Sequence, residues 1–274
     1  MIPLIYHGTM HDELTPALLD PLIMGTIFHG KSQCFASVAS TNTAAMKDAL
    51  DGVPAGTVYI ADEQTAGRGR GGHDWHSPPG SGLYVSVVLR PKLGSQDALW
   101  LSLAAGLASH TAILATCQTA PDLRWPNDIM YGRRKVGGIL TEMASEAGSG
   151  NVRYAVIGIG INVAQESFPP ELAETATSLF LETGRVWQRL TLAGALLKSL
   201  HRELNALETD TAKASESLRK RFAAHSSYVE NARVFVEEDG GYTGVTCGLN
   251  NNGFLQVKTD NGVRTVLSGG VRKT

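Results

Sequence analysis

The run Gly67-Arg-Gly-Arg-Gly-Gly72 constrains this chain more than any other feature, because of what stands on either side of it. Before it, Thr57-Val-Tyr-Ile-Ala61 reads as a buried strand, rich in β-branched and aromatic residues. As a bare string the loop satisfies G-x-G-x-x-G, the dinucleotide fingerprint. That fingerprint works only where a helix opens directly after the loop, so that the helix N-terminus receives a pyrophosphate. Here His73-Asp-Trp-His-Ser-Pro-Pro-Gly80 follows, and then a second strand over residues 83–89. No helix can start in that stretch, so a doubly wound dinucleotide fold is excluded. What remains is a glycine-rich loop between two strands. Its glycines admit backbone N–H groups to an anion, and Arg68 and Arg70 add bidentate contacts. A flexible surface loop is the plain alternative; Trp75, just downstream and able to cover a ligand, favours binding.

The 274 residues favour one large unit and one small one. Residues 1–30, interrupted by Pro3, Pro16 and Pro21, form an extension of unassigned role. From residue 31 the pattern is regular. Ser40, Thr41 and Asn42 supply capping side chains before an alanine-rich helix at 44–50. Residues 99–117 hold no Asp, Glu, Lys or Arg, yet contain Ser102, Ser109, His110, Thr111 and Thr116, which predicts a core helix rather than a bilayer span. Strands are expected at 122–125, 129–131, 135–143 and 152–163, a short helix after Pro169-Pro170, and helix over 189–224. After residue 227, short β-type runs alternate with Gly240-Gly241, Asn252-Gly253 and Asn261-Gly262 turns. That predicts a small β-barrel over 227–274, near the lower size limit for an independent core and therefore packed on the larger unit.

Net charge −2 and pI near 6.4 argue against a generally basic nucleic-acid binder. Cys34, Cys117 and Cys247 are odd in number and widely spaced, which fits a reducing compartment. The first lysine or arginine is Lys31, preceded by Asp12, Glu13 and Asp20. Neither a secretory signal nor a mitochondrial transit peptide is expected, and the predicted location is cytoplasmic.

Three further motifs carry chemistry. In Arg124-Trp-Pro-Asn-Asp128, Pro126 fixes a turn from which Asn127 and Asp128 reach ribose, phosphate or Mg²⁺, or else close an Asx-turn on their own backbone. Lys135-Val-Gly-Gly-Ile-Leu-Thr-Glu142 sets an ammonium where the backbone can approach a ligand closely, although most lysines are merely solvated. Gly158-Ile-Gly-Ile-Asn162 places two glycines on one strand face, either as a flat slot for a planar ligand or for close strand packing. His73 and His76 read as loop histidines rather than metal ligands. Neither G-x-S-x-G nor H-E-x-x-H occurs.

Taken in order, Ser40-Thr-Asn42, Gly67–Gly72, Trp125-Pro-Asn-Asp128, Lys135–Glu142 and Gly158–Asn162 resemble the biotin–protein ligase family, from about residue 31 to the C-terminus. The resemblance implies an α+β fold. A class II aminoacyl-tRNA synthetase-like catalytic domain, a mixed sheet with flanking helices, would occupy 31–226, and an SH3-like barrel 227–274. It implies ATP and biotin as substrates, Mg²⁺, and a biotin carboxyl carrier domain as partner. No membrane or DNA partner is expected, since the N-terminal DNA-binding domain of the family's regulatory members has no room here; a homodimer is compatible. By carry-over, Ser40, Thr41, Gln64, Gly67, Arg68, Arg70, Trp75, Lys135, Gly138, Gly158 and Gly160 would bind biotin. Arg70, Asn127, Lys135 and Asn162 would contact ATP, Asp128 would lie near the metal, and Lys135 and Arg70 would be catalytic. Two departures stand out: Gly71 where the family is often basic, and Gly269-Gly270-Val271-Arg272 where it often reads Gly-Glu-Val before an arginine, whose position falls on Thr274. The alternatives are a lipoate ligase or octanoyltransferase on a related scaffold, and a non-catalytic adenylate-binding regulator. Residues 67–82, with six glycines, are expected to move without ligand and to close over it.

Overall fold

The computed structural model describes residues 12–146 and 148–274. Seven strands form the larger sheet: β1 (Ser32–Val38), β2 (Val58–Gln64), β3 (Gly82–Leu89), β4 (Asp122–Arg124), β5 (Asp128–Tyr131), β6 (Arg134–Ser145) and β7 (Val152–Asn162). Their order is β1-β2-β3-β7-β6-β5-β4, and only β1 and β2 run parallel. The glycine-rich loop therefore joins two antiparallel neighbours. Its ends are held near each other by strand pairing, and its middle is free to fold over the sheet face.

Helix α1 (Pro16–Leu19) opens the described chain, with Thr15 capping it and Pro16 in its first turn, where proline's missing N–H costs nothing. Leu19, Ile23 and Phe28 are buried, and Leu22 fills the space beside Gly194, so residues 14–28 belong to the main core. Asp12 accepts hydrogen bonds from the Arg189 backbone N–H and side chain, and Asp62 binds the same guanidinium.

Helix α2 (Thr41–Leu50) packs its Ala45 and Ala49 face on Tyr59, Val88, Tyr154 and Val156, making a small second core on that side of the sheet. Ser40 is its N-cap; Thr41 and Asn42, read from the sequence as caps, lie inside the helix and are buried. Helix α3 (Leu99–Cys117) is apolar around its whole circumference because sheet and helices surround it. It is long and apolar enough to cross a membrane, yet 72% of its most apolar window is buried within the protein. Pro169-Pro170 is followed by turns, and α4 starts only at Leu179 and ends at Thr183. The expected helix over 189–224 is two helices, α5 (Arg189–Thr209) and α6 (Thr211–Ala224). Asp210 breaks the run by adopting an extended conformation and capping the backbone N–H of Lys213.

The C-terminal strands β8 (Glu230–Val236), β9 (Tyr242–Leu249), β10 (Leu255–Thr259), β11 (Gly262–Val266) and β12 (Val271–Lys273) form an antiparallel sheet ordered β11-β10-β9-β8-β12. Its interior valines and leucines are continuous with the main core. Trp125, 2% exposed, donates its indole N–H to the Gly253 carbonyl at 2.9 Å, joining the two sheets. Asp122 accepts from the Ser227 N–H at the same junction. As expected, the small unit packs on the large one.

Candidate active site

Adjacent strands β6 and β7 pair Gly138 with Gly160 and Leu140 with Gly158, so three of these four positions lack a Cβ. The sheet surface is shallow there. It forms the floor of a cavity, partly open to solvent, walled by α2, the glycine-rich loop and β3. The expected slot over the glycines is occupied by the protein's own side chains. A Cβ on Gly160 would stand 2.5 Å from the Trp75 indole nitrogen, and one on Gly158 would stand 2.3 Å from Asn42 Oδ1. Trp75 thus lies on the floor rather than above it, with the Lys135 ammonium 5.3 Å from its ring centre. Its indole N–H is buried without a partner.

One end of the cavity is polar and neutral. The Thr41 N–H and hydroxyl both donate to Gln64 Oε1, at 2.9 and 3.0 Å, and Gln64 Nε2 donates to Ser77 Oγ at 2.9 Å. One side chain therefore ties the start of α2 to the far arm of the loop. Ser86, fully buried on β3, places its hydroxyl 2.8 Å from both Thr41 Oγ1 and Asn42 Oδ1. Sequence reasoning missed Ser86 as a wall residue because a serine inside an apolar strand has no motif. Asn42 was visible as a capping residue and in the family segment but not as a site residue, and it too lines the cavity.

The other end is cationic. Lys135, at the start of β6, forms an ion pair with Asp128 Oδ1 at 2.6 Å, and Arg124 Nε donates to Asp128 Oδ2 at 2.9 Å. Burial would raise the Asp128 carboxyl, but Lys135 and Arg124 outweigh it and hold the group below its ordinary range. Two cations on one carboxylate leave net positive charge at the mouth. Arg70 adds to it from the loop, and its guanidinium reaches the Gly269 carbonyl at 3.4 Å.

The structure brings Ser40, Thr41, Gln64, Arg68, Arg70, Trp75, Asn127, Lys135, Gly138, Gly158 and Gly160 to one cavity. Three expected residues stand outside its walls. Gly67 is buried against the Trp75 carbonyl and Ser77, where a Cβ would approach to 2.5 Å, so its role is to let the loop fold back. Asn162 is buried, donating to the Thr177 carbonyl and accepting from Gln165. Asp128 sits behind Lys135. With one oxygen on Lys135 and the other on Arg124, Asp128 does not fit a metal-ligand role. No group of three His, Cys, Asp or Glu able to hold a metal ion occurs among the described residues. Within the loop, Gly69 N–H donates to the His73 carbonyl at 2.6 Å and Trp75 N–H to the Gly67 carbonyl at 2.9 Å, and Arg68 pairs with Glu142.

Residues 34–162 match the model of the biotin/lipoate A/B protein ligase family. A biotin–[acetyl-CoA-carboxylase] ligase of Mycobacterium tuberculosis is 34% identical over 271 residues, covering 94% of this chain and 96% of that protein. The chain belongs to the biotin–protein ligase family. The bifunctional ligase/repressor BirA of Bacillus subtilis is 34% identical over 236 residues, 85% of this chain and 71% of its own length. Among solved structures, the biotin protein ligase of Aquifex aeolicus in complex with biotin and ATP is similar at 30% identity with a TM-score of 0.76, covering 89% of this chain and all of that one. The mixed sheet with its helices and the second antiparallel sheet are thus the fold of biotin–protein ligases.

Proposed function

We propose that this chain is an ATP-dependent biotin–protein ligase acting on a lysine of a biotin carboxyl carrier domain. The observation that carries the reading is a single cavity, neutral and polar at one end and cationic at the other, in a chain whose full-length relatives are biotin ligases. Biotin has the same polarity, a neutral ureido ring at one end and a carboxylate at the other. In the first step the carboxylate oxygen bonds to the α-phosphorus of ATP and the bond to the β-phosphate breaks, giving biotinyl-AMP and pyrophosphate. In the second, the carrier amine attacks the acyl carbon, AMP leaves, and the amine's proton passes to solvent.

Both reactants of the first step are anions. Lys135 and Arg70, at the cationic end, offset their repulsion and stabilise the charge that develops in line. Asp128, itself held by Arg124, orients Lys135 through their ion pair. Any Mg²⁺ then belongs to the nucleotide's own phosphates, and no step is assigned to a protein-held metal. The two-sheet fold supports a class II synthetase-like domain that, with residues 14–28 in its core, begins earlier than the expected residue 31 and runs to 226, and an SH3-like domain over 227–274.

Lipoate is the competing substrate within the same wider family. Its dithiolane ring offers no N–H or C=O, so it cannot exchange hydrogen bonds with the Thr41–Gln64–Ser86 network as a ureido ring can, and the polar end favours biotin. ATP–pyrophosphate exchange with biotin, lipoate or octanoate as the acid tests the reading. Exchange should require biotin; exchange supported by lipoate or octanoate but not by biotin overturns it.

A further inference from the structure

Glu142 has no role in the chemistry above, yet it is where the loop, α2 and the cavity floor meet. It projects from the same face of β6 as Gly138 and Leu140, being two and four residues on. Its Oε2 accepts from Asn42 Nδ2 at 2.8 Å and from the Arg68 guanidinium. Asn42 is itself fixed, 4% exposed, with its Oδ1 beside Gly158 and hydrogen-bonded to Ser86. Arg68, by contrast, belongs to the glycine-rich loop and is exposed. The carboxylate therefore connects a rigid polar wall to a segment with little packing of its own.

We propose that Glu142 is a positioning residue that clamps the first arm of the glycine-rich loop through Arg68 and so sets the biotin end of the cavity before ligand enters; this deepens the biotin reading and rests on it. Neutralising Arg68 also leaves the far end without net charge, so the acid's carboxylate is drawn to Lys135 and Arg70 instead. A strand residue holds such geometry better than a loop residue could. Because the ion pair is partly exposed, its loss should act modestly and selectively on biotin, not on nucleotide.

The test compares wild type, Glu142→Gln, Arg68→Gln and the double variant. Glutamine at 142 still accepts from Asn42 but loses the ion pair. In the unliganded proteins, tryptic cleavage after Arg70 should speed up about three- to tenfold in Glu142→Gln. KM for biotin should rise by a similar factor, with kcat and the KM for ATP within about twofold. The double variant should be no worse than Glu142→Gln alone, the signature of one shared interaction. Unchanged cleavage and KM, additive effects in the double variant, or parallel changes in kcat and ATP KM each overturn the clamp. Should Glu142→Gln fail to fold, the tryptic cleavage rate of unliganded Arg68→Gln decides alone, since it removes the same pair from an exposed position and is read without biotin, so that no direct ligand contact of Arg68 enters. Failure of wild type to use biotin would overturn the functional reading, whereas the cleavage comparison, made without ligand, still tests the clamp.

Discussion

At the scale of single residues, the proposed mechanism rests most on Lys135, which Asp128 holds in an ion pair. Lys135→Ala should keep the fold, because Arg124 still satisfies one oxygen of Asp128. Adenylate formation should fall by at least about a hundredfold, the usual effect of removing a preorganised charge stabiliser. ATP–pyrophosphate exchange beside a thermal melt checks both; near-wild-type exchange in a folded variant would remove Lys135 from the mechanism. His110, away from the cavity, makes a different prediction. Burial, with His225 stacked 4.1 Å away, lowers it from 6.5 to about 4, and Asp122 opposes the shift. Above about pH 6.5 both folded and unfolded forms are neutral. Between there and about pH 4 only the unfolded chain takes up the proton, so stability falls with pH across that window. His110→Gln should flatten that slope in urea titrations at pH 7 and pH 5, and an unchanged slope would assign it to other groups. The sequence already showed Lys135 and both loop arginines, since cations beside glycines leave a pattern. It could not show that Asn162 turns away from the cavity or that Asp128 is doubly paired, because those facts depend on which neighbours the sheet supplies.

At the scale of elements, the strand–loop–strand reading of residues 57–89 held because two prolines and a run of glycines admit few alternatives. The position of α3 was equally legible. The break at Asp210 was not: a leucine-rich helical period runs through it, and only the local cap geometry ends α5 there. Strand β12 was unseen for a related reason, since three residues carry too short a pattern and its existence depends on pairing with β8. The paired glycines of β6 and β7 give the sharpest element-level test. Gly160→Ala places a methyl group 2.5 Å from the Trp75 indole nitrogen, so the ring must leave. The strand itself tolerates alanine, because Gly160 is not among the positive-φ glycines. The variant should fold, redshift its tryptophan emission and bind biotin about two- to tenfold more weakly, the scale set by one lost aromatic contact. Unaltered emission and affinity would mean that Trp75 does not shape the cavity.

At the scale of the whole molecule, one core runs beneath both sheets. Sequence reasoning anticipated that the C-terminal strands need a partner, from the small size of their unit; it could not see that Trp125, taken for part of a ligand-facing turn, is that partner's anchor. Trp125→Ala should lower stability by about 3–5 kcal/mol, the range for truncating a buried Trp or Phe. A fragment ending at residue 226 should lose cooperative melting altogether, and a fragment that melts near the intact protein's temperature would show that the sheets are separable. The contact of Arg70 with Gly269 has a practical side. Thr274 stands five residues beyond Gly269, so it lies within about 18 Å of a carbonyl at the loop's edge. A reporter or carrier fused through a short linker to that end would be tethered at the doorway of the cavity. Such a fusion favours modification of its own cargo over that of free molecules, and a long linker or another attachment point is the choice when the enzyme must label in trans.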